Sequence, residues 1–376
     1  MKKIFYLVAL CLISFQTVSA QSQNEAIILF NEAIGHFKNK DFKKAIASYS
    51  QAIEVNPDYT KAYYNRGNAK LNIKDFDGAI DDFLFVMGLD PEFTKAYLYS
   101  GYAYMQKKDF KKAIKSYDYA LKLDPQLAKA YLNKGTAHMK MKNYDKAIAD
   151  FDRAIQIDSD QPTAYYNRGV CHQNTKDYYA AIKDYTVAID KKPSLYSIYK
   201  SRGKAYLKLE NYEEAIADFG AYLKKKPESA DIYYYRGYAK LALEDLNGAN
   251  TDFQLSLEID PTYKSALKNK SFTSFKLGKY EEAVKDYTNL IKVDSDNPDH
   301  YFNRGIAYLR IEKYSRAEKD FSEVISQKSD FAQAYYNRAN AYAQMENYGK
   351  ACKDMKKAAK SGYEPAYGYI KDICSQ

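Results

Sequence analysis

Cysteine and histidine are scarce in this chain, with four of each in 376 residues. No HExxH, CxxC, nucleophile elbow or Gly-rich phosphate loop occurs. The sequence therefore lacks the usual constellations for metal hydrolysis, nucleophilic catalysis or nucleotide binding. It reads as a non-enzymatic chain with no metal and no cofactor. Long apolar runs are also missing. The one candidate, Ile4 to Phe15, is too short to span a bilayer. Lys2 and Lys3 precede it and Val18-Ser19-Ala20 follows, which is the order of a cleaved export signal over residues 1–20. Cys11 leaves with it. The expected product is exported, periplasmic or extracellular, and soluble, with no integral membrane segment after cleavage. Pro-, Gly- or Ser-rich linkers are absent too, so composition marks no domain boundary. Without Lys2 and Lys3 the chain has 55 basic and 48 acidic residues, a net of +7. So modest an excess is no nucleic-acid signature, and no nucleic-acid partner is expected.

What the chain has is a period. AYYNRG stands at 62–67 and again at 164–169, and AYYNRA at 334–339. Steps of 34 from Ala26 give ten windows without a gap: 26–59, 60–93, 94–127, 128–161, 162–195, 196–229, 230–263, 264–297, 298–331 and 332–365. Residues 21–25 lead in, and 366–376 fit a capping helix. Position 20 of every window is Ala, from Ala45 to Ala351. Position 8 is always small, and positions 17 and 24 are nearly all rings. Positions 4, 8 and 11 share one helical stripe, and positions 17, 20, 24 and 27 another. Each window is thus two amphipathic helices whose backbones meet over small residues. Pro at position 32, as in Pro57 and Pro91, stops the second helix. Window eight departs most, with Leu267, Ser271 and Ser274 where Tyr, Gly and Tyr are usual, and it reads as the softest joint.

Period and positions together resemble the tetratricopeptide repeat. The resemblance implies an all-α solenoid of ten helix-turn-helix repeats, wound as a right-handed superhelix with a concave groove. It also implies that positions 2, 5, 6, 9 and 13 face that groove. A carboxylate clamp for chain-terminal acidic motifs is known in the family, but no three successive repeats here supply its residues.

Two polar positions carry more information. Position 7 is Arg or Lys in eight repeats, and position 23 is Asp in the same eight. The two exceptions lack both, with Glu32 and Ser48 in one and Ser100 and Ser116 in the other. The joint change predicts an ion pair between the two helices of a repeat. Position 6 is Asn in seven: Asn31, Asn65, Asn133, Asn167, Asn269, Asn303 and Asn337. The resemblance implies a ladder that holds the backbone of an extended peptide, because an amide offers a donor and an acceptor together.

Positions 5, 6, 9 and 13 hold no Asp or Glu in any repeat. Lys200, Lys204, Lys208, Lys268, Lys276 and Arg310 supply positive charge, and Tyr64, Tyr166, Tyr234, Tyr235, Tyr238 and Tyr336 supply rings. Such a groove suits an extended, acidic protein or peptide. An acidic glycan stacking on the rings is the rival partner, and a scaffold working through the convex face is a third reading. Cys352 and Cys374 lie on the last repeat helix and the cap, placed for a disulfide. Cys171 reads as buried and reduced. His36, His138 and His172 read as packing residues, and His300 as isolated.

Overall fold

A computed structural model of the chain describes residues 22–375. The expected export signal, Gln21 and Gln376 lie outside these residues. All regular structure among the described residues is helical. The chain forms two compact units, one up to Pro193 and one from Ser194.

The first unit contains α1 (residues 22–38), α2 (Phe42–Val55), α3 (Thr60–Asn72), α4 (Phe76–Leu89), α5 (Thr94–Gln106), α6 (Phe110–Leu123), α7 (Ala128–Lys140), α8 (Tyr144–Ile157), α9 (Pro162–Asn174) and α10 (Tyr178–Lys191). The second contains α11 (Ser197–Lys208), α12 (Tyr212–Leu223), α13 (Ala230–Ala242), α14 (Leu246–Ile259), α15 (Lys264–Lys276), α16 (Tyr280–Val293), α17 (Pro298–Arg310), α18 (Tyr314–Gln327), α19 (Ala332–Gln344) and α20 (Tyr348–Lys360). A final helix, α21 (Pro365–Cys374), packs on α20. It begins one residue before the expected cap, because Pro365 takes the first helical turn, where its missing N–H costs nothing.

Within each unit helices pack on their sequence neighbours, which makes each unit a solenoid of helix pairs. The pairs close on position 20, where all ten alanines are fully buried. They close equally on position 8. A methyl at Gly67 would come within 2.8 Å of the Phe83 ring, and one at Gly169 within 2.8 Å of Tyr185. Glycine here permits close approach rather than an unusual backbone angle. Repeat ten carries Ala339 at this position, and its partner is the flexible Met355 instead of a ring.

The turns are equally regular. Asp75, Asp109, Asp177 and Asp245 accept a hydrogen bond from the backbone N–H three residues on, capping the second helix. After the second helix, Asp90, Asp124, Asp158 and Asp260 accept from the N–H two residues on. That Asx turn persists at Asp158, where Ser159 replaces the expected Pro. Between first and second helices, position 15 adopts the left-handed conformation in every repeat: Lys40, Lys74, Lys108, Lys142, Lys176, Glu210, Glu244, Gly278, Glu312 and Glu346 have φ between 58° and 75°. Only Gly278 is the residue that conformation favours. The others bear a cost of roughly 1–3 kcal/mol each.

Repeat eight, expected as the softest joint, is packed differently from the others. Its missing rings are replaced by a buried polar network. Ser274 donates to Asp286 at 2.8 Å and its Oγ lies 3.2 Å from Asn250 Oδ1, and Thr273 reaches the same Asn250 oxygen. Lys270, only 3% exposed, joins Asp286 to Glu282.

Candidate functional site

The first helices of neighbouring repeats touch one another, α3 with α5 and α5 with α7 in the first unit, α11 with α13 and α13 with α15 in the second. They form a continuous first-helix face in each unit, and the candidate site residues lie on it.

That face rests on the repeated ion pair. Arg66 meets Asp82, Arg168 Asp184, Arg202 Asp218, Arg236 Asp252, Arg304 Asp320 and Arg338 Asp354, with closest contacts of 2.6–2.8 Å. Lys270 meets Asp286 at 2.8 Å, and Lys134 approaches Asp150 at 3.4 Å. All eight pairs join the first helix to the second of their own repeat. The arginines bind two-pronged, through Nε and one terminal nitrogen. The other terminal nitrogen reaches back to the preceding repeat: Arg66 to Ser50, Arg168 to Asp152, Arg304 to Thr288 and Arg338 to Ser322. Each of these four guanidinium groups thus ties three helices. The Asp184 carboxylate, above all, holds the Arg168 guanidinium well above its ordinary range. The ladder is structural, and its residues face helices rather than open groove.

The Asn residues lie along the face. Asn65, Asn133, Asn167, Asn269, Asn303 and Asn337 are half-buried and Asn31 is exposed. The side chains of Asn65, Asn133 and Asn303 form no hydrogen bond among the described residues. Asn167 reaches Thr136 at 3.5 Å, and Asn337 donates to the Gln333 carbonyl at 2.8 Å. Two depressions open beside the ladder. One of about 440 Å³ in the first unit is lined by Tyr64, Asn65, Asn68, Asn72, Tyr99 and Tyr102, among others. One of about 370 Å³ in the second unit is lined by Lys268, Asn269, Phe272, Phe302, Asn303 and Phe331, among others.

The basic residues divide. Lys200 and Lys204 do not stand free, because both reach Asp231, at 2.9 and 3.6 Å. Asp231 is the groove acid of the next repeat, one helix over. Lys204 also lies 4.5 Å from the Tyr235 ring centroid. Burial, and then the Lys200 charge, hold its ammonium below its ordinary range. Lys208, Lys268, Lys276 and Arg310 are exposed and form no ion pair among the described residues.

Many of the rings serve packing. Tyr64 touches Phe83, Phe93 and Tyr99, Tyr234 touches Phe253 and Tyr263, Tyr166 touches Tyr185, and Tyr336 touches Tyr363. Position 5 rings are the floor between repeats, with one edge toward the face. Tyr238 is the most open of the six, at 44% exposure. Tyr99 and Tyr102, which sequence reasoning left out, line the first-unit depression. Their signal was available, since they occupy groove positions 6 and 9 of repeat three.

Burial pushes the Cys171 thiol up to about 12, so it stays protonated and unreactive. Cys352 and Cys374 form a disulfide that fastens α20 to α21. His300 is not isolated: it is buried, with Nε2 2.8 Å from Asp294 Oδ2. Lys264 and then His300 hold the Asp294 carboxyl below its usual range. No group of metal-ligating side chains and no helix long and apolar enough to cross a membrane occurs among the described residues.

The chain is similar to several solved structures. The C-terminal part of a TPR repeat-containing protein from Cytophaga hutchinsonii is 21% identical, with 64% of this chain and 98% of that one covered and a TM-score of 0.56. A tetratricopeptide repeat protein from Parabacteroides merdae is 22% identical over 66% and 99%, with a TM-score of 0.43. MamA is 31% identical over 44% and 96%, with a TM-score of 0.42. No curated protein matches the sequence. Family models described as tetratricopeptide repeat match residues 60–93, 128–161, 162–194, 201–264 and 302–365, and one described as TPR repeat matches 36–73, 101–142 and 274–312. Spread over most of the helical chain, these matches make the protein a member of the tetratricopeptide repeat family, a family of protein–protein interaction scaffolds.

Proposed function

We propose that the protein is an exported scaffold that holds an extended, acidic polypeptide along its first-helix faces, in the cell envelope or outside the cell. One observation supports this most: both depressions on those faces are lined by ladder asparagines set among rings, Asn65 in one unit and Asn269 with Asn303 in the other. A primary amide facing such a depression matches a peptide unit and ignores the side chain it carries. Lys268 at the second depression, and Lys208, Lys276 and Arg310 on the same face, favour acidic side chains, and at an exposed surface they act mainly on encounter rate and selectivity.

Peptide-display selection on the purified protein tests the reading. Acidic, extended sequences should enrich on the parent and vanish on Lys208→Ala/Lys268→Ala/Lys276→Ala. Asn65→Ala/Asn269→Ala/Asn303→Ala should weaken every selected peptide, whatever its side chains. If the same peptides enrich equally on all three proteins, the groove is not the receptor.

A further inference from the structure

The turn edge, between the first and second helices of each repeat, is chemically different in the two units. In the first unit its left-handed residue is always Lys: Lys40, Lys74, Lys108, Lys142 and Lys176. In the second unit the same position holds Glu210, Glu244, Gly278, Glu312 and Glu346. Gly278 demonstrates that the turn accepts glycine, the residue its backbone prefers. A long charged side chain is kept at the other nine against that preference, with one sign per unit. The five lysines are exposed and form no ion pair among the described residues. Lys43, Lys111 and Lys146, at the start of the following helices, form none either. Of the acids on this edge, Asp41 pairs with Lys44, Asp77 with Lys107 and Asp109 with Lys112, Asp75 and Asp177 cap the following helix, and Asp145 is exposed. Within the row a depression of about 450 Å³ is lined by Lys107, Lys108, Asp109, Phe110, Lys111 and Met141.

We propose that the turn edge of the first unit binds a linear anionic polysaccharide. Successive lysines recur once per repeat, each at the turn between its two helices. A polymer with an acid group on each repeating unit meets them one after another, and the flexible lysine stems absorb the mismatch. Phe110 and Met141 give the depression an apolar floor for a sugar ring, beneath lysines that meet its acid. A lipid surface would want apolar anchors, and the exposed large hydrophobics on this edge are only Ile73 and Tyr179. An acidic peptide would want amides for its backbone, and the row is lysine. This site is separate from the first-helix face.

The experiment is equilibrium binding of the purified protein to fluorescent polygalacturonate oligomers across a salt series. The key variant is Lys40→Glu/Lys74→Glu/Lys108→Glu/Lys142→Glu/Lys176→Glu, which the turn accepts because glutamate occupies it in the second unit. Binding should be present in the parent, weaken as salt rises, and fall by roughly tenfold or more in this variant, with a shallower salt slope. Lys108→Glu/Lys111→Glu should give part of that loss. No binding by the parent, or equal binding by the five-site variant, overturns the proposal. So does tighter binding of phosphatidylglycerol vesicles than of polygalacturonate, or a five-site variant that loses more polyglutamate binding than polygalacturonate binding.

Discussion

Repeats four and five are neighbours built to one plan, yet their ion pairs differ. In repeat five, Arg168 holds Asp184 with two N–H donors at 2.8 and 2.6 Å and reaches Asp152 with a third. In repeat four, Lys134 lies 2.8 Å from Asp118 of the preceding repeat and only 3.4 Å from its own Asp150. The buried Asp150 Oδ2 and His138 Nδ1 are left without a hydrogen bond. Burial then pushes the Asp150 carboxyl up to about 6, with Lys134 countering it incompletely. A guanidinium can serve two carboxylates in fixed directions, and an ammonium on a single-point stem divides itself between them.

The largest test removes the better pair. Asp184→Ala leaves the half-buried Arg168 guanidinium with only the exposed Asp152 and should cost about 3 kcal/mol. Arg168→Ala should cost a similar amount, and the double variant less than the two combined. Strict additivity in that cycle, read by calorimetry, would remove the pairing as an energetic unit. Next comes the pH response of repeat four. A carboxyl whose folded pKa is raised contributes stability below the ordinary carboxylate range and loses it as pH climbs through about 6. Asp150→Asn should therefore gain on the parent by up to roughly 2–3 kcal/mol between pH 4 and 7. A constant difference across that window would put the Asp150 proton elsewhere.

A third test asks what the two repeats share. A methyl at Gly135 would meet Phe151 at 2.8 Å, just as one at Gly169 would meet Tyr185. Either Gly→Ala change should cost about 1–2 kcal/mol, overpacking outweighing the better helix propensity. Unequal costs would mean that the helix pairs themselves differ, not only their charges. The smallest effect is Lys134→Arg, which should stabilise repeat four by about 1 kcal/mol and slow hydrogen exchange in α7 and α8. No gain would show that Asp118, rather than Asp150, governs the site.

Much of this was legible in the sequence. Ten copies act as an internal alignment, and the joint loss of base and acid in repeats one and three announced the pair. Small residues at positions 8 and 20, facing rings at 24, announced the helix contact. Long side chains were harder to read. Lys200 and Lys204 looked free because their partner, Asp231, lies one repeat away, and a flexible lysine selects among acids that only packing brings near. His300 looked isolated for the same reason, since Asp294 reaches it across a turn. The position 5 rings looked like open platforms, although a ring between two repeats must first fill the space they leave. The change from lysine to glutamate at the turns stood in plain view at a fixed period, but nothing in sequence marks that residue as left-handed.

The backward reach of the position 7 base has a consequence for how such a chain changes length. Arg66, Lys134, Arg168, Arg304 and Arg338 each take an oxygen from the repeat before, and that oxygen sits sixteen residues upstream every time. A duplicated 34-residue block from a repeat that carries both, such as repeat four or nine, therefore arrives with a base for the repeat it follows and an oxygen for the one it precedes. Genetic gain or loss of such a block leaves no orphaned charge at the junction. Within such an array the number of repeats can drift while the seam chemistry stays intact.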